Sequence, residues 1–180
     1  RVLMRLLDGL AHAHARDVVH RDIKPGNILL RRSSGGVVLT DFGLARAGDT
    51  RGGAVLNAGT PSYMAPEQIR QQANDIGPWT DMYGLGCLAW SLVSGKPPFQ
   101  SDTIDGLLDA HLHQPIPKLE AVTDVPADFE GWVGKLLRKN PHHRYVRAAD
   151  AAFVLSQMAQ PEEEDTLYIE PVFSPKAPEE

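Results

Sequence analysis

The chain has 180 residues, 42% apolar and 23% charged, enough for one domain with a substantial core. Its net charge of −5 is uneven: the stretch from Pro161 to the end holds seven acids and one base, and what precedes it is close to neutral. The absence of a clustered basic excess argues against nucleic acid as a partner, no apolar run approaches the roughly 18 residues of a membrane span, and a single cysteine, Cys87, excludes an internal disulfide and fits a reducing, cytoplasmic setting.

Val2, Leu3, Leu6, Leu7 and Leu10 recur at helical spacing, so Arg1 to about Arg16 is expected to form an amphipathic helix. Arg5 and Asp8 interrupt any signal-peptide core. A start in mid-helix, without Met, reads as a piece of a longer protein. Val18 to Leu30 is expected to be loop with short extended pieces, because Pro25 and Gly26 oppose a long helix. Ser33 to Gly36 is a turn followed by the β-branched run Val37 to Thr40, which predicts a hairpin with Ile28 to Leu30. Asp41 to Ala58 is glycine-rich and predicts a surface loop, and Thr60 to Glu67 a structured turn. Thr80 to Ser94 is apolar nearly all round, the pattern of a helix at the domain centre, with Cys87 as a buried small hydrophobe. Three further helices are expected at Ser101 to His113, Asp128 to Lys139 and Ala148 to Met158, with Asp102 and Asp128 as N-cap or first-turn acids. From residue 160 the composition turns to Glu, Pro and Asp, which predicts a disordered linker or tail. The sum is a mainly α domain over residues 1–159 with one hairpin.

Within "VVHRDIKPGNILL", Val18 to Leu30, five polar or charged side chains crowd into eight positions between apolar flanks. Burying such groups without partners is costly, so the cluster implies a site, with Val18-Val19 and Ile28 to Leu30 anchoring the loop to the domain. "DFG", Asp41 to Gly43, follows after two short apolar segments, and "GTPSYMAPE", Gly59 to Glu67, after a loop. The histidine pairs His12/His14 and His111/His113 are each two apart on helices and point to different faces, and His142-His143 has no acid or thiol spaced for zinc. Trp79, Trp90 and Trp132 read as packing residues.

The three motifs in this order resemble the signature of eukaryotic-type serine/threonine protein kinases, in the form found in bacteria. The resemblance runs from residue 1 to about 159 and covers the C-terminal lobe: a helical bundle with a short β-hairpin at the catalytic cleft. It implies transfer of the ATP γ-phosphate to Ser/Thr hydroxyls of protein substrates. Asp22 is then the catalytic base, unpaired in the cleft, and Lys24 offsets phosphate charge. Asn27 and Asp41 hold Mg²⁺, with Mn²⁺ as a substitute, and Gly43 permits a sharp turn. The resemblance also gives structural and regulatory roles. His20 packs inside, bonded near Asp41 and to Asp81. Arg21 meets a phosphate on the activation loop. Asp81 caps the catalytic-loop backbone, Thr60 bridges Asp22 and Lys24, and Glu67 pairs with Arg144 in the interior.

Two departures stand out. The positions three to five before Gly59 are Leu56, Val55 and Ala54, and Thr50 is the sole hydroxyl between Gly43 and Gly59, so either Thr50 is the phosphosite or loop phosphorylation is not used. No G-x-G-x-x-G loop, strand lysine or partner glutamate precedes the catalytic loop. The piece by itself is therefore expected to be inactive, with an N-terminal lobe and further domains belonging to the full-length protein. The rival reading is a pseudokinase or scaffold that binds proteins through the same lobe; against it, Asp22, Asn27 and Asp41 are all intact.

Overall fold

The computed structural model describes residues 1–31, 36–42 and 61–158. In chain order it has helix α1 (Val2–His14), strands β1 (Ile28–Leu30) and β2 (Val37–Leu39), and helices α2 (Pro66–Ile69), α3 (Pro78–Ser94), α4 (Ile104–His113), α5 (Phe129–Leu136) and α6 (Ala148–Met158). The mainly α architecture and the hairpin match expectation. The strands are antiparallel, with Ile28 opposite Leu39 and Leu30 opposite Val37.

Helix α3 is the centre. From Thr80 to Trp90 every residue of it is buried, and Leu85, Cys87 and Ala89 have no exposed surface. That burial pushes the Cys87 thiol pKa far up, as expected of a packing residue. The helix begins two residues earlier than the apolar run suggests. Pro78 tolerates the first helical position, and the Thr80 hydroxyl accepts from Gly77 N at 3.2 Å. It ends on Gly95, whose φ of 75° is the left-handed cap that glycine adopts without strain. Helices α1 and α5 pack against α3, and α6 packs against α1 and α5. Gly86 permits the α5 contact, since a Cβ there would meet Leu136 Cβ at 2.8 Å. No helix among the described residues is long and apolar enough to cross a membrane.

Several boundaries differ from the sequence reading. Helix α4 starts at Ile104, and its cap is Thr103, whose Oγ1 accepts from Gly106 N at 3.1 Å, in place of Asp102. Asp128 sits at the N-cap position of α5 without a side-chain capping bond. Helix α5 stops at Leu136, and Lys139 instead caps α4: its Nζ donates to the carbonyls of Ala110 at 2.9 Å and His111 at 2.7 Å. The flanks of the polar cluster are also less buried than expected: Val18, Leu29 and Leu30 are 41%, 56% and 63% exposed. A two-stranded ribbon covers little of either face, and the anchor is Ile23, which is 3% exposed. The turn at residues 32–35 and the segments 43–60 and 159–180 lie outside the described residues, so the readings of the glycine-rich loop and of the tail are not addressed by the structure.

His111 faces the interior of this helical layer. Its Nδ1 lies 2.9 Å from the Tyr83 hydroxyl, its ring packs on Phe99, and its Nε2 is buried without a partner among the described residues. Burial, with the Lys139 ammonium as a smaller contributor, lowers its pKa to about 4. The folded state therefore holds His111 neutral, and its contribution is complete above the ordinary histidine pKa of about 6.5. As pH falls from there toward 4, the unfolded chain takes up the proton first and stability is lost. Wild-type protein is expected to lose up to about 3 kcal/mol more than His111→Asn between pH 7 and 4, read from urea midpoints along the pH series.

Candidate active site

Asp81, in the first turn of α3, has a side chain with no exposed surface. A buried carboxylate needs donors, and three are supplied. Oδ2 accepts from His20 N at 2.8 Å and from His14 Nε2 at 2.7 Å, and Oδ1 accepts from Arg21 N at 2.7 Å. These bonds hold Arg21 at φ 67°, a left-handed conformation that costs a non-glycine residue about 1–3 kcal/mol. Gln68 of α2 adds a fourth restraint, donating its amide to the Arg21 carbonyl at 2.8 Å.

His20 links the loop to the hairpin. Its Nε2 donates to the Thr40 carbonyl at 2.7 Å, which leaves Nδ1 to accept the Asp22 N–H at 3.2 Å. The imidazole is thereby held neutral-tautomer fashion as a spacer, packed on the Phe42 ring at 4.6 Å. Ile23 next seats the loop on α3. Gly84 makes room for it, because a Cβ there would meet Ile23 Cβ at 3.0 Å.

On this base sit the polar groups. The Lys24 ammonium is 2.7 Å from Asp22 Oδ2, and Asn27 Nδ2 donates to the same oxygen at 3.0 Å and to the Asp22 carbonyl at 2.8 Å. Asp22 is thus paired, contrary to the expectation of a free carboxylate. Lys24 is two residues on in extended backbone, which returns its side chain to the same face. Oδ1 of Asp22 has no partner among the described residues. Asn27 spends its nitrogen on Asp22, so its amide oxygen stays available. The Thr40 N–H donates to the Asn27 carbonyl at 2.9 Å, which ties the start of Asp41 to Asn27. Asp41 itself is exposed, at φ 60°.

Beneath the site lies the Glu67–Arg144 pair, both side chains at most 1% exposed. Nη1 and Nη2 donate to the two Glu67 oxygens at 2.7 and 2.9 Å. The remaining donors reach the carbonyls of Arg138, Trp79 and Lys139, so every guanidinium N–H is used. Thr80 Oγ1 donates to Glu67 Oε1 at 2.9 Å. The structure therefore brings together His20, Arg21, Asp22, Lys24, Asn27, Asp41 and Asp81, with Glu67 and Arg144 as the support below. Gly43, Thr50 and Thr60 lie outside the described residues.

The sequence reading missed His14, Gln68, Thr80 and Gly84. His14 carried a usable signal: it is four and seven positions after Leu10 and Leu7, on the buried stripe of α1. His14→Leu is expected to cost about 2 kcal/mol, measured by urea denaturation, since it strips a charge-assisted bond from a buried carboxylate. No group of three metal-binding His, Cys, Asp or Glu side chains occurs among the described residues.

Residues 1–154 match the family model described as "Protein kinase domain". Among similar proteins, a probable serine/threonine-protein kinase pknA2 of Bifidobacterium longum is 40% identical over 88% of this chain and 21% of its own length. Serine/threonine-protein kinase PknL of Mycobacterium tuberculosis is 39% identical over 89% of this chain and 41% of its own. Serine/threonine-protein kinase Pkn1 of Myxococcus xanthus is 39% identical over 82% and 22%. The chain thus spans between about a fifth and two fifths of the length of these relatives.

Proposed function

The chain belongs to the protein kinase family, and from that premise we propose that it is the C-terminal lobe of a serine/threonine protein kinase, transferring the ATP γ-phosphate to hydroxyls of protein substrates. The observation that carries this reading is the fixed pose of Asp22: Lys24 and Asn27 hold Oδ2, Asp81 holds the backbone on its N-terminal side, and Oδ1 has no partner among the described residues. An open carboxylate oxygen in a locked frame can orient a hydroxyl and accept its proton, a contribution of about 10²–10⁴ in rate. Lys24 stands beside it to offset phosphate charge. Phosphoryl transfer asks for this kind of positioning and charge more than for covalent help.

The residues present fit a divalent metal. The buried Asn27 uses its amide nitrogen on Asp22, and its Oδ1 and the carboxylate of the exposed Asp41 are hard oxygens of the kind that suits Mg²⁺ or Mn²⁺. Such an ion would neutralise charge on the nucleotide phosphates. The exposed side chains of Leu29 and Leu30 on the ribbon, and of Val18 before the loop, supply apolar surface suited to a nucleotide-binding lobe. This sequence has no glycine-rich phosphate loop ahead of His20.

The 180-residue chain with ATP, Mg²⁺ and a basic protein substrate is expected to give no phosphate incorporation, and a chain completed by an N-terminal lobe is expected to label Ser and Thr. Robust incorporation by the 180 residues would overturn the need for that lobe. A completed chain that binds nucleotide but transfers nothing would favour the scaffold reading.

A further inference from the structure

Helix α6 buries Ala151 and Leu155 against the domain and presents the opposite face outward. That face is mixed, with Ala149 and Phe153 beside the polar Asp150 and Gln157. Phe153 is 67% exposed and Val146, just before the helix, 52%. With Val154 and Tyr145 they line a concavity of about 430 Å³, which one carboxylate, Asp150, also lines. Lys135 stands over the Tyr145 ring at 4.1 Å, without a carboxylate partner among the described residues, and the exposed Arg147 is nearby, with only a long 3.7 Å contact to Asp150. Arg144 also lines the concavity, but all its donors are used. Large apolar side chains grouped in a hollow with cations at the rim are the mark of an interaction site.

We propose that this hollow is a docking site for the chain's own segment Leu167–Phe173. The segment holds Leu167, Tyr168, Ile169, Val172 and Phe173, with Glu170 inside it and Glu162 to Asp165 just before it. Its apolar groups match the hollow, and its acids match Lys135 and Arg147. Geometry permits the contact. Helix α6 ends at Met158, and the nine residues from there to Leu167 can span about 30 Å when extended. Phe153 lies only about 7.5 Å back along the helix from Met158. The tether sets an effective concentration on the order of millimolar, so even a weak contact is populated.

The experiment uses the ¹⁵N-labelled 180-residue chain and amide exchange by NMR, and it does not involve catalysis. Amides of residues 167–173 are expected to exchange roughly tenfold more slowly than in a free peptide of that sequence, about 1.4 kcal/mol of docking. Phe153→Ser, or separately Val146→Ser, is expected to abolish that protection. The paired tail substitutions Tyr168→Ser and Phe173→Ser are expected to shift the amides of Val146, Phe153 and Val154, at every protein concentration. Absent protection in the wild type, or protection that survives both hollow variants, would overturn the proposal. Protection that grows with concentration would also overturn it, since the occupant would then be a second copy.

Discussion

Arg144→Met is expected to destabilise the domain by about 3–5 kcal/mol, a fall of roughly 10 °C or more in the thermal midpoint. The size follows from what is left behind. Glu67 is 1% exposed and would keep a full charge with one hydroxyl, Thr80, as its remaining donor. The carbonyls of Arg138, Trp79 and Lys139 would lose their donors as well. The pair itself need not be a net source of stability, because desolvating both ions offsets much of their attraction. The double variant Glu67→Leu/Arg144→Met is therefore expected to recover a large part of the loss. A single variant that melts within about 2 °C of wild type would show that the pair is not the buried, fully bonded unit described.

Asp22→Asn, made in a chain completed by an N-terminal kinase lobe, is expected to lower kcat by roughly 10²–10⁴-fold with little change in KM. The substituted amide is close to isosteric, so the loop should keep its shape. What is lost is the basic oxygen and the charge facing Lys24, whose ammonium is 2.7 Å away. The split between kcat and KM is the informative readout. A rise in KM at unchanged kcat would assign Asp22 to substrate binding alone, and unchanged values of both would remove it from the reaction.

Much of this was legible in the chain. The stripe of Leu6, Leu7 and Leu10 fixed α1 and the all-round apolar run fixed α3, because helical periodicity is a local property of side-chain order. The spacing of His20, Asp22, Lys24 and Asn27 marked the site for a similar reason: these residues are near neighbours in sequence, and a short loop can gather them with little help. The ends of elements were less legible. The capping of α4 by Thr103 and Lys139 depends on which group reaches an unsatisfied backbone atom, and for Lys139 that group comes from 28 residues away.

The sequence by itself determined the family and which residues are candidates for the site. The tertiary structure alone decided their environment. It paired Asp22 through Oδ2 with Lys24 and Asn27, where a free carboxylate was expected. It drew His14 from 67 positions away onto Asp81 and turned Leu29 and Leu30 outward. The physical reason is that a side chain's partners and burial depend on elements distant in sequence, and no local pattern records which of them will close around it.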